Sequence, residues 1–468
     1  MNSGGETQMK ANAGSFRDPS GQVFNIEGRI YRSISEAGAD DFVAARDAGI
    51  YDKLIDEGLL IAHEEIDVPN PAPEGTEYCL MHPRLTMVSY PWEWPFSMLK
   101  DAALMHLEAM EKLLPLGFWL RDASAFNAQF DGGRVRLIDT LSIGRRPPDS
   151  PWVAYGQFCS HFLGPLALAA YGDIRTLSLW RNYIDGYPLD LVTGFLPFWR
   201  RYRPGLFMHL ILHARAQVMA DRKEDIGKTK AVKKAKVSDR GLIGIVRSLH
   251  KTIKNIKWKH STEIWEGYRE FRTYQNEDVA KKSNYVEKVV KRLQPGVVWD
   301  LGANTGEFSL IAASHGSFVV SIDGDPACTE QLYKKVSTET KLRNVLPLTM
   351  DLANPSPGLG WRGRERFNIE DRGPADLVLA LALVHHLVFS CCVPLSMMAD
   401  WFGSLGNYLL VEFVPPSDPM VKKLLENRGK EHLPYDLDVF RSGFNKIFDF
   451  VDQTDLRNGR MLFLCAHK

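Results

Sequence analysis

The 468-residue sequence lacks an excess of charge of either sign, with Lys+Arg and Asp+Glu both at 57. Its net charge therefore supplies no overall attraction to nucleic acid or to an anionic membrane. No apolar run reaches membrane-spanning length. The opening stretch MNSGGETQMKANAGSF is polar and has no apolar core, so no secretory signal is expected. Cysteine is sparse. The six residues at 79, 159, 328, 391, 392 and 465 show no metal-ligand spacing, and the adjacent pair Cys391–Cys392 suits neither a zinc site nor an ordinary disulfide. A reducing compartment, and so a cytoplasmic location, is the expectation. Internal repeats are absent. What remains is ordinary for a globular protein, 45% hydrophobic and 24% charged. The chain is too long for a single hydrophobic core, so two domains are expected.

The most informative segment runs from Val297 to Ser309, VVWDLGANTGEFS. An apolar run ends in Asp300, glycines follow at 302 and 306, and helical spacing begins at Phe308. This predicts a strand, a tight turn and a helix start, with backbone N–H groups directed at a ligand on the turn. A dinucleotide fingerprint in this register needs glycines at 302, 304 and 307. The chain has Asn304 and Glu307 instead, and a carboxylate at 307 would repel a pyrophosphate. Asn tolerates positive φ better than other non-glycine residues, so the turn can still form at 304.

The segment resembles motif I of the class I S-adenosylmethionine-dependent methyltransferases. That cofactor carries a sulfonium and no phosphate, so acidic residues around the turn are acceptable. Further apolar runs follow at 318–322, 345–349, 375–383, 408–411, 447–451 and 461–466. Helical patterns fit between most of them, as βαβ units require. The resemblance covers residues 260–468 and implies a Rossmann-like α/β domain with a seven-stranded sheet closed by the last two runs. It implies cofactor contacts at Asp300, Gly302, Asn304 and Gly306, ribose binding at Asp323, and adenine contact at Asp351–Leu352. Val384-His385-His386-Leu387 follows the fourth run. One histidine is a candidate general base near the transferred methyl, and the competing reading is a histidine satisfied by backbone groups at a strand end. Glu412 either orients a substrate or caps its loop.

Charge distribution marks the internal boundary. From Arg222 to Lys259 the chain carries thirteen Lys/Arg against three Asp/Glu, including Lys228, Lys230, Lys233, Lys234 and Lys236. The part up to Arg240 lacks apolar periodicity and reads as a linker. From Leu242 to Trp258 apolar residues return at helical spacing with lysines between them. Such a helix suits RNA, a membrane surface or an acidic partner, or simply presents a solvated face.

In the N-terminal half, Asp122 and Asn127 stand in a D-x-x-x-x-N arrangement, and a short strand, Val135 to Ile138, leads to Asp139. These residues, with Met87–Tyr90 as a hinge strand and Leu99–Leu114 as the preceding helix, resemble the catalytic loop and metal-binding aspartate of protein and small-molecule kinases, including aminoglycoside phosphotransferases. The resemblance implies an α+β kinase-like domain in which Asp122 orients a hydroxyl while Asn127 and Asp139 hold magnesium on ATP. The sequence departs from that pattern at Leu120, where histidine is usual, and at Thr140–Leu141. It also lacks a recognisable glycine-rich loop, for which Asp18–Gly21 is the nearest substitute, and a strand lysine.

The expected organisation is a disordered tail at 1–14, a kinase-like domain at 15–220, a basic linker and helix at 221–259, and a cofactor-binding domain at 260–468. The expected activity is methyl transfer to a small-molecule or protein acceptor, with the N-terminal domain selecting that acceptor. Nucleic acid is a less favoured partner, and no membrane span or metal beyond the magnesium–nucleotide remnant is expected. Two alternatives stand beside it: a phosphotransferase or nucleotide-binding regulator whose C-terminal domain senses S-adenosylmethionine, and a non-catalytic protein built from two degenerate enzyme domains.

Overall fold

The computed structural model describes residues 9–214, 236–259, 276–428 and 434–468. The chain forms two compact units. One comprises Met1–Phe130, Val135–Lys259 and Leu359–Arg366, and the other Asp131–Arg134, His260–Gly358 and Phe367–Lys468. The lysines at 228, 230, 233 and 234 lie outside the described residues.

The N-terminal unit opens with an antiparallel sheet of β1 (Met9–Ala11), β2 (Val23–Ile26), β3 (Arg29–Ser35), β4 (Glu64–Ile66) and β5 (Thr76–His82), in the order β1-β2-β3-β5-β4. Phe24, Ile26, Tyr31 and Cys79 make one buried cluster, and Met9 packs against it. That contact corrects the expected disordered tail for residues 9–14, because one apolar side chain at Met9 gives β1 something to bury. Helix Phe96–Leu113 follows, with Leu99, Ala102, His106, Ala109, Met110 and Leu113 buried at three- and four-residue spacing. It leads into β6 (Phe118–Leu120), the hairpin of β7 (Ala128–Asp131) and β8 (Arg134–Leu137), and β9 (Ile143–Arg145), which pairs with β6. Helix Asp239–Asn255 buries Leu242, Val246, Leu249 and Ile253 and packs on helix Phe96–Leu113. The apolar stripe of the basic segment is therefore part of this unit's core, and its lysines lie on the remaining faces.

The C-terminal unit is built on β10 (Val297–Leu301), β11 (Phe318–Asp323), β12 (Val345–Thr349), β13 (Ala375–Ala380), β14 (Gly406–Phe413), β15 (Phe448–Asp455) and β16 (Met461–His467). Their order is β12-β11-β10-β13-β14-β16-β15. The first five are parallel, and β16 inserts antiparallel between β14 and β15. Val298, Val319, Val345, Leu377 and Leu410 are fully buried, as expected where helices cover both faces of a parallel sheet. The strand order reverses between β10 and β13, and a crevice at the carboxyl ends of such a pair is where open α/β sheets bind ligands. Among the described residues no helix is long and apolar enough to cross a membrane, and none of the six cysteines is in a disulfide.

Candidate functional site

The loop after β10 has the strand-turn-helix form read from the sequence. Gly302, Asn304 and Gly306 have φ of +77°, +50° and +81°, and helix Glu307–Ser314 starts directly behind Gly306. The expectation that its N–H groups face a ligand is corrected by where those groups go. The Ile322 carbonyl accepts from the Gly302 and Ala303 N–H groups at 2.9 and 3.0 Å, and the Ala303 carbonyl accepts from Gly306 N–H at 2.9 Å. Asn304 N–H donates to Asp323 Oδ2 at 2.7 Å, and Thr305 N–H to Asn304 Oδ1 at 2.8 Å. Every backbone N–H from 302 to 306 is engaged inside the protein. These five amides are thus not available to cradle an anion, in keeping with the missing dinucleotide glycines.

Asp323, at the end of β11, accepts Asn304 N–H on one oxygen and Asp325 N–H, at 2.8 Å, on the other. Each carboxylate oxygen retains a further lone pair for a ligand hydroxyl. Burial raises the pKa of Asp323, and the two amide bonds oppose that shift. An added Cβ at Gly324 would lie 3.9 Å from the Asp351 Cα, so the Asp323 and Asp351 turns are neighbours. Asp351 is exposed and Leu352 half-buried, and Asp351 Oδ1 accepts Ala353 N–H at 2.9 Å. Asp300 lies behind the turn. It is buried, accepts the Ser309 hydroxyl at 2.6 Å, and has its pKa pushed up to about 6 by burial.

On the other side of the reversal, Leu383 reaches Gly302, its Cδ1 lying 3.5 Å from where a Cβ would stand. His385 and His386 sit in the first turn of helix Val384–Cys391, not at a strand end. The rings are 4.3 Å apart. His385 is buried, its Nδ1 has no hydrogen-bond partner, and its pKa is well below the usual range because of burial, with His386, Arg460 and Lys282 adding to the shift. Burial lowers His386 as well.

Glu412, on β14, serves as a cap and also as the centre of a charge network. Its Oε2 accepts Ala382 N–H at 2.8 Å, which holds the loop where Ala382 adopts φ +51°. It also pairs with Lys282 Nζ at 2.5 Å and Arg460 at 3.3 Å, while Asp418 binds Arg460 at 2.8 Å. Sequence reasoning does not single out Lys282, Arg460 or Asp418. They are separated from Glu412 by 130, 48 and 6 positions, and no local pattern joins them.

In the N-terminal unit, Asp122 Oδ1 accepts Ser124 N–H at 2.9 Å and Gln157 Nε2 at 2.7 Å. Asn127 Nδ2 is buried without a hydrogen-bond partner. Asp139 accepts Leu141 N–H, and its Oδ1 lies 3.1 Å from the Arg32 guanidinium. Arg32 comes from β3 and also pairs with Asp18 at 2.5 Å. Asp139 is raised in pKa by burial, with Asp18 and Asp122 adding to the rise and Arg32 opposing it. Arg32 is a strand cation that sequence reasoning missed; β3 (RIYRSIS) carries two arginines, and nothing local marks Arg32 as the buried one. The Asp18–Gly21 loop lies between β1 and β2. Among the described residues, no group of three or more His, Cys, Asp or Glu side chains is arranged to hold a metal ion.

No family model matches the chain. Over 439 residues it is 36% identical to the nodulation protein NoeA of Rhizobium meliloti (strain 1021), covering 93% of this chain and 91% of that protein. Among solved structures, magnesium protoporphyrin IX methyltransferase from Synechocystis PCC 6803, with bound SAH, aligns at 19% identity and a TM-score of 0.32, covering 44% of this chain and 95% of its own. The N-methyltransferase NodS from Bradyrhizobium japonicum WM9 aligns at 10% identity and a TM-score of 0.31, covering 41% and 98%.

Proposed function

We propose that this chain, which belongs to the family of the nodulation protein NoeA, is an S-adenosylmethionine-dependent methyltransferase whose cofactor lies over the β10 turn. The observation that carries this reading is the hydrogen-bond inventory of the turn. All five of its backbone N–H groups are engaged, while the Asp323 carboxylate beside it can still accept. A ligand that brings hydroxyl donors and no phosphate suits that arrangement, and a dinucleotide does not. Asp323 would take the ribose hydroxyls, and Asp351 and Leu352 would flank the adenine. Gly302, Asn304 and Gly306 shape the turn, and Asp300 supports it from behind through Ser309. The cofactor supplies an electrophilic methyl group on its sulfonium.

The protein's part is to align an acceptor and exclude water. Burial and the nearby cations hold the His385 pKa well below the usual range, which favours the neutral ring. Its unpartnered Nδ1 is then a hydrogen-bond acceptor that orients the acceptor's hydroxyl or ammonium, and it takes the proton only as the methyl is transferred. Glu412 fixes the loop that carries this histidine and neutralises the nearby cations. The acceptor is a small molecule or a protein, selected by the N-terminal unit. The six cysteines, none of them in a disulfide, are compatible with a reducing setting. Calorimetry of the full chain with S-adenosylmethionine, S-adenosylhomocysteine and NAD tests the reading. Binding of the first two without the third is expected, and NAD binding alone, or no binding up to millimolar ligand, overturns it.

The N-terminal unit we read as kinase-like in form and inactive in phosphoryl transfer, retained as a platform for the acceptor. The residues present do not fit a magnesium nucleotide, because Arg32 already pairs with Asp139 where magnesium would be held. A transfer and hydrolysis assay on the full chain with Mg-ATP is expected to show no turnover. Turnover at ordinary kinase rates that vanishes in Asp139→Asn would restore the phosphotransferase reading.

A further inference from the structure

One stretch of the N-terminal unit carries apolar residues both buried and exposed. Between helix Leu189–Phe195 and the helical turns ending at Leu212, Val192, Leu196, Leu206, Leu210 and Ile211 are buried and fasten the segment to the unit. The same stretch exposes Phe195, Phe198, Trp199, Tyr202, Met208 and Leu212, with Trp199 at 73% and the Phe198 and Tyr202 rings 5.1 Å apart. Core packing does not account for this second row. Isolated apolar residues on a surface are ordinary, but a row of six of them, four aromatic, marks an interaction site.

Three arginines, Arg200, Arg201 and Arg203, are interleaved with the row. None forms an ion pair with a described carboxylate. Arg200 and Arg203 stack on the Tyr171 ring at 4.9 and 4.8 Å, and Arg201 donates to the Leu196 and Gly194 carbonyls. Among the described residues, then, these three positive charges are held by an aromatic ring and by backbone carbonyls and not by carboxylates. We propose that this face docks on an anionic lipid surface, with the aromatic and aliphatic side chains entering the headgroup boundary and the arginines meeting lipid phosphates. Trp and Tyr favour that boundary because each has an apolar body and a polar tip. A second copy of the chain is a poor occupant, because a two-fold contact would bring the three arginines of each patch against their like. A single-stranded nucleic acid would find rings to stack on here, but the aliphatic Met208 and Leu212 give it nothing while they suit a lipid boundary. Flotation that added single-stranded oligonucleotide abolishes would assign the face to nucleic acid instead.

Flotation of the full chain with vesicles tests this. One set is phosphatidylcholine, and the other carries a third of its lipid as phosphatidylglycerol. The wild type is expected to float with the anionic vesicles, weakly with the neutral ones, and less as salt rises. Phe198→Ser with Trp199→Ser, both at exposed positions, should reduce binding at least tenfold. Arg200→Gln with Arg203→Gln should weaken anionic binding by about fivefold per arginine and flatten the salt dependence. Circular dichroism melts show whether either pair disturbs folding. Because Arg200 and Arg203 also stack on Tyr171, the serine pair is the decisive one. The proposal is overturned by a wild type that stays with the soluble fraction, by equal flotation with both vesicle types, or by a serine pair that floats like the wild type. A dimer in sedimentation velocity that the serine pair dissociates, with no vesicle binding, would assign the face to self-association instead.

Discussion

Each unit keeps aspartates beside a turn that follows a strand, and the two sets meet opposite company. Asp323 is held by backbone amides alone, from Asn304 and Asp325. The strong cations of its unit, Lys282 and Arg460, are drawn off by Glu412 and Asp418. Asp139 of the N-terminal unit is paired with a guanidinium from its own sheet, shared with Asp18. An amide orients a carboxylate without neutralising it, so Asp323 remains available to a ligand. An arginine supplies the positive charge a metal would bring, so Asp139 is complete as it stands. Residue identity alone does not make a site; what the neighbours have already satisfied decides it.

Acidification should separate the units most strongly. Burial pushes His82, His106 and His161, all in the N-terminal unit, down to about 4. The unfolded chain binds more protons than the folded one between about 6.5 and 4, so this stability is present above pH 6.5 and is lost as pH falls. Each histidine contributes on the order of 1.4 kcal/mol per pH unit. In the C-terminal unit, His385 and His386 act in the same sense, but Asp300 acts in the other. Its raised pKa means the folded state binds the extra proton, so its cost fades as pH drops below about 6. Scanning calorimetry from pH 7 to 5 should show the N-terminal transition falling further. Equal shifts would break the contrast.

Glu412→Ala should come next, at about 3–5 kcal/mol of stability, because two buried cations lose their shared partner. A melting temperature close to wild type would mean that Asp418 alone suffices. Gly302→Val should weaken S-adenosylmethionine by roughly 2–3 kcal/mol, about 30- to 150-fold, with the fold retained. Its φ is +77°, but the nearest atom to an added Cβ is 3.5 Å away, so the penalty is conformational. Gly306→Val should instead damage the fold, since its Cβ would lie 2.7 Å from the Leu332 methyl carbons. Comparing the two by calorimetric titration and by melting sharpens the distinction between shaping a turn and packing beneath it. The smallest effect is expected for Asp323→Ala, about 1–3 kcal/mol of cofactor affinity; unchanged affinity would remove Asp323 from the site.

The five parallel strands of the C-terminal sheet were legible because strands buried on both faces read as continuous apolar runs, and the antiparallel pair β15 and β16 because each begins or runs as a further apolar stretch. Only their ends moved. The run at 375–383 stops as a strand at Ala380, since Ala382 turns to positive φ under the hold of Glu412. Turn shape at Gly302, Asn304 and Gly306 was legible too, because positive φ limits the residues allowed. The destinations of the turn's N–H groups were not, as they depend on Ile322 and Asp323 from the neighbouring strand. The Lys282–Glu412–Arg460 network and the Arg32–Asp139 pair were equally hidden, since their members come from separate elements far apart in the sequence and no local pattern joins them. At the N-terminus, the strand at Met9 was illegible because one apolar residue in a polar stretch has no period to detect.

The internally bonded β10 turn also has a kinetic consequence. A loop that waits for its ligand before forming must reorganise during each binding event, and that step limits how fast complexes accumulate. Here Asn304 and Gly302 hold their left-handed conformations through bonds already made within the protein. Cofactor capture should then follow a single exponential whose rate rises linearly with concentration, with affinity differences among variants residing in the dissociation rate.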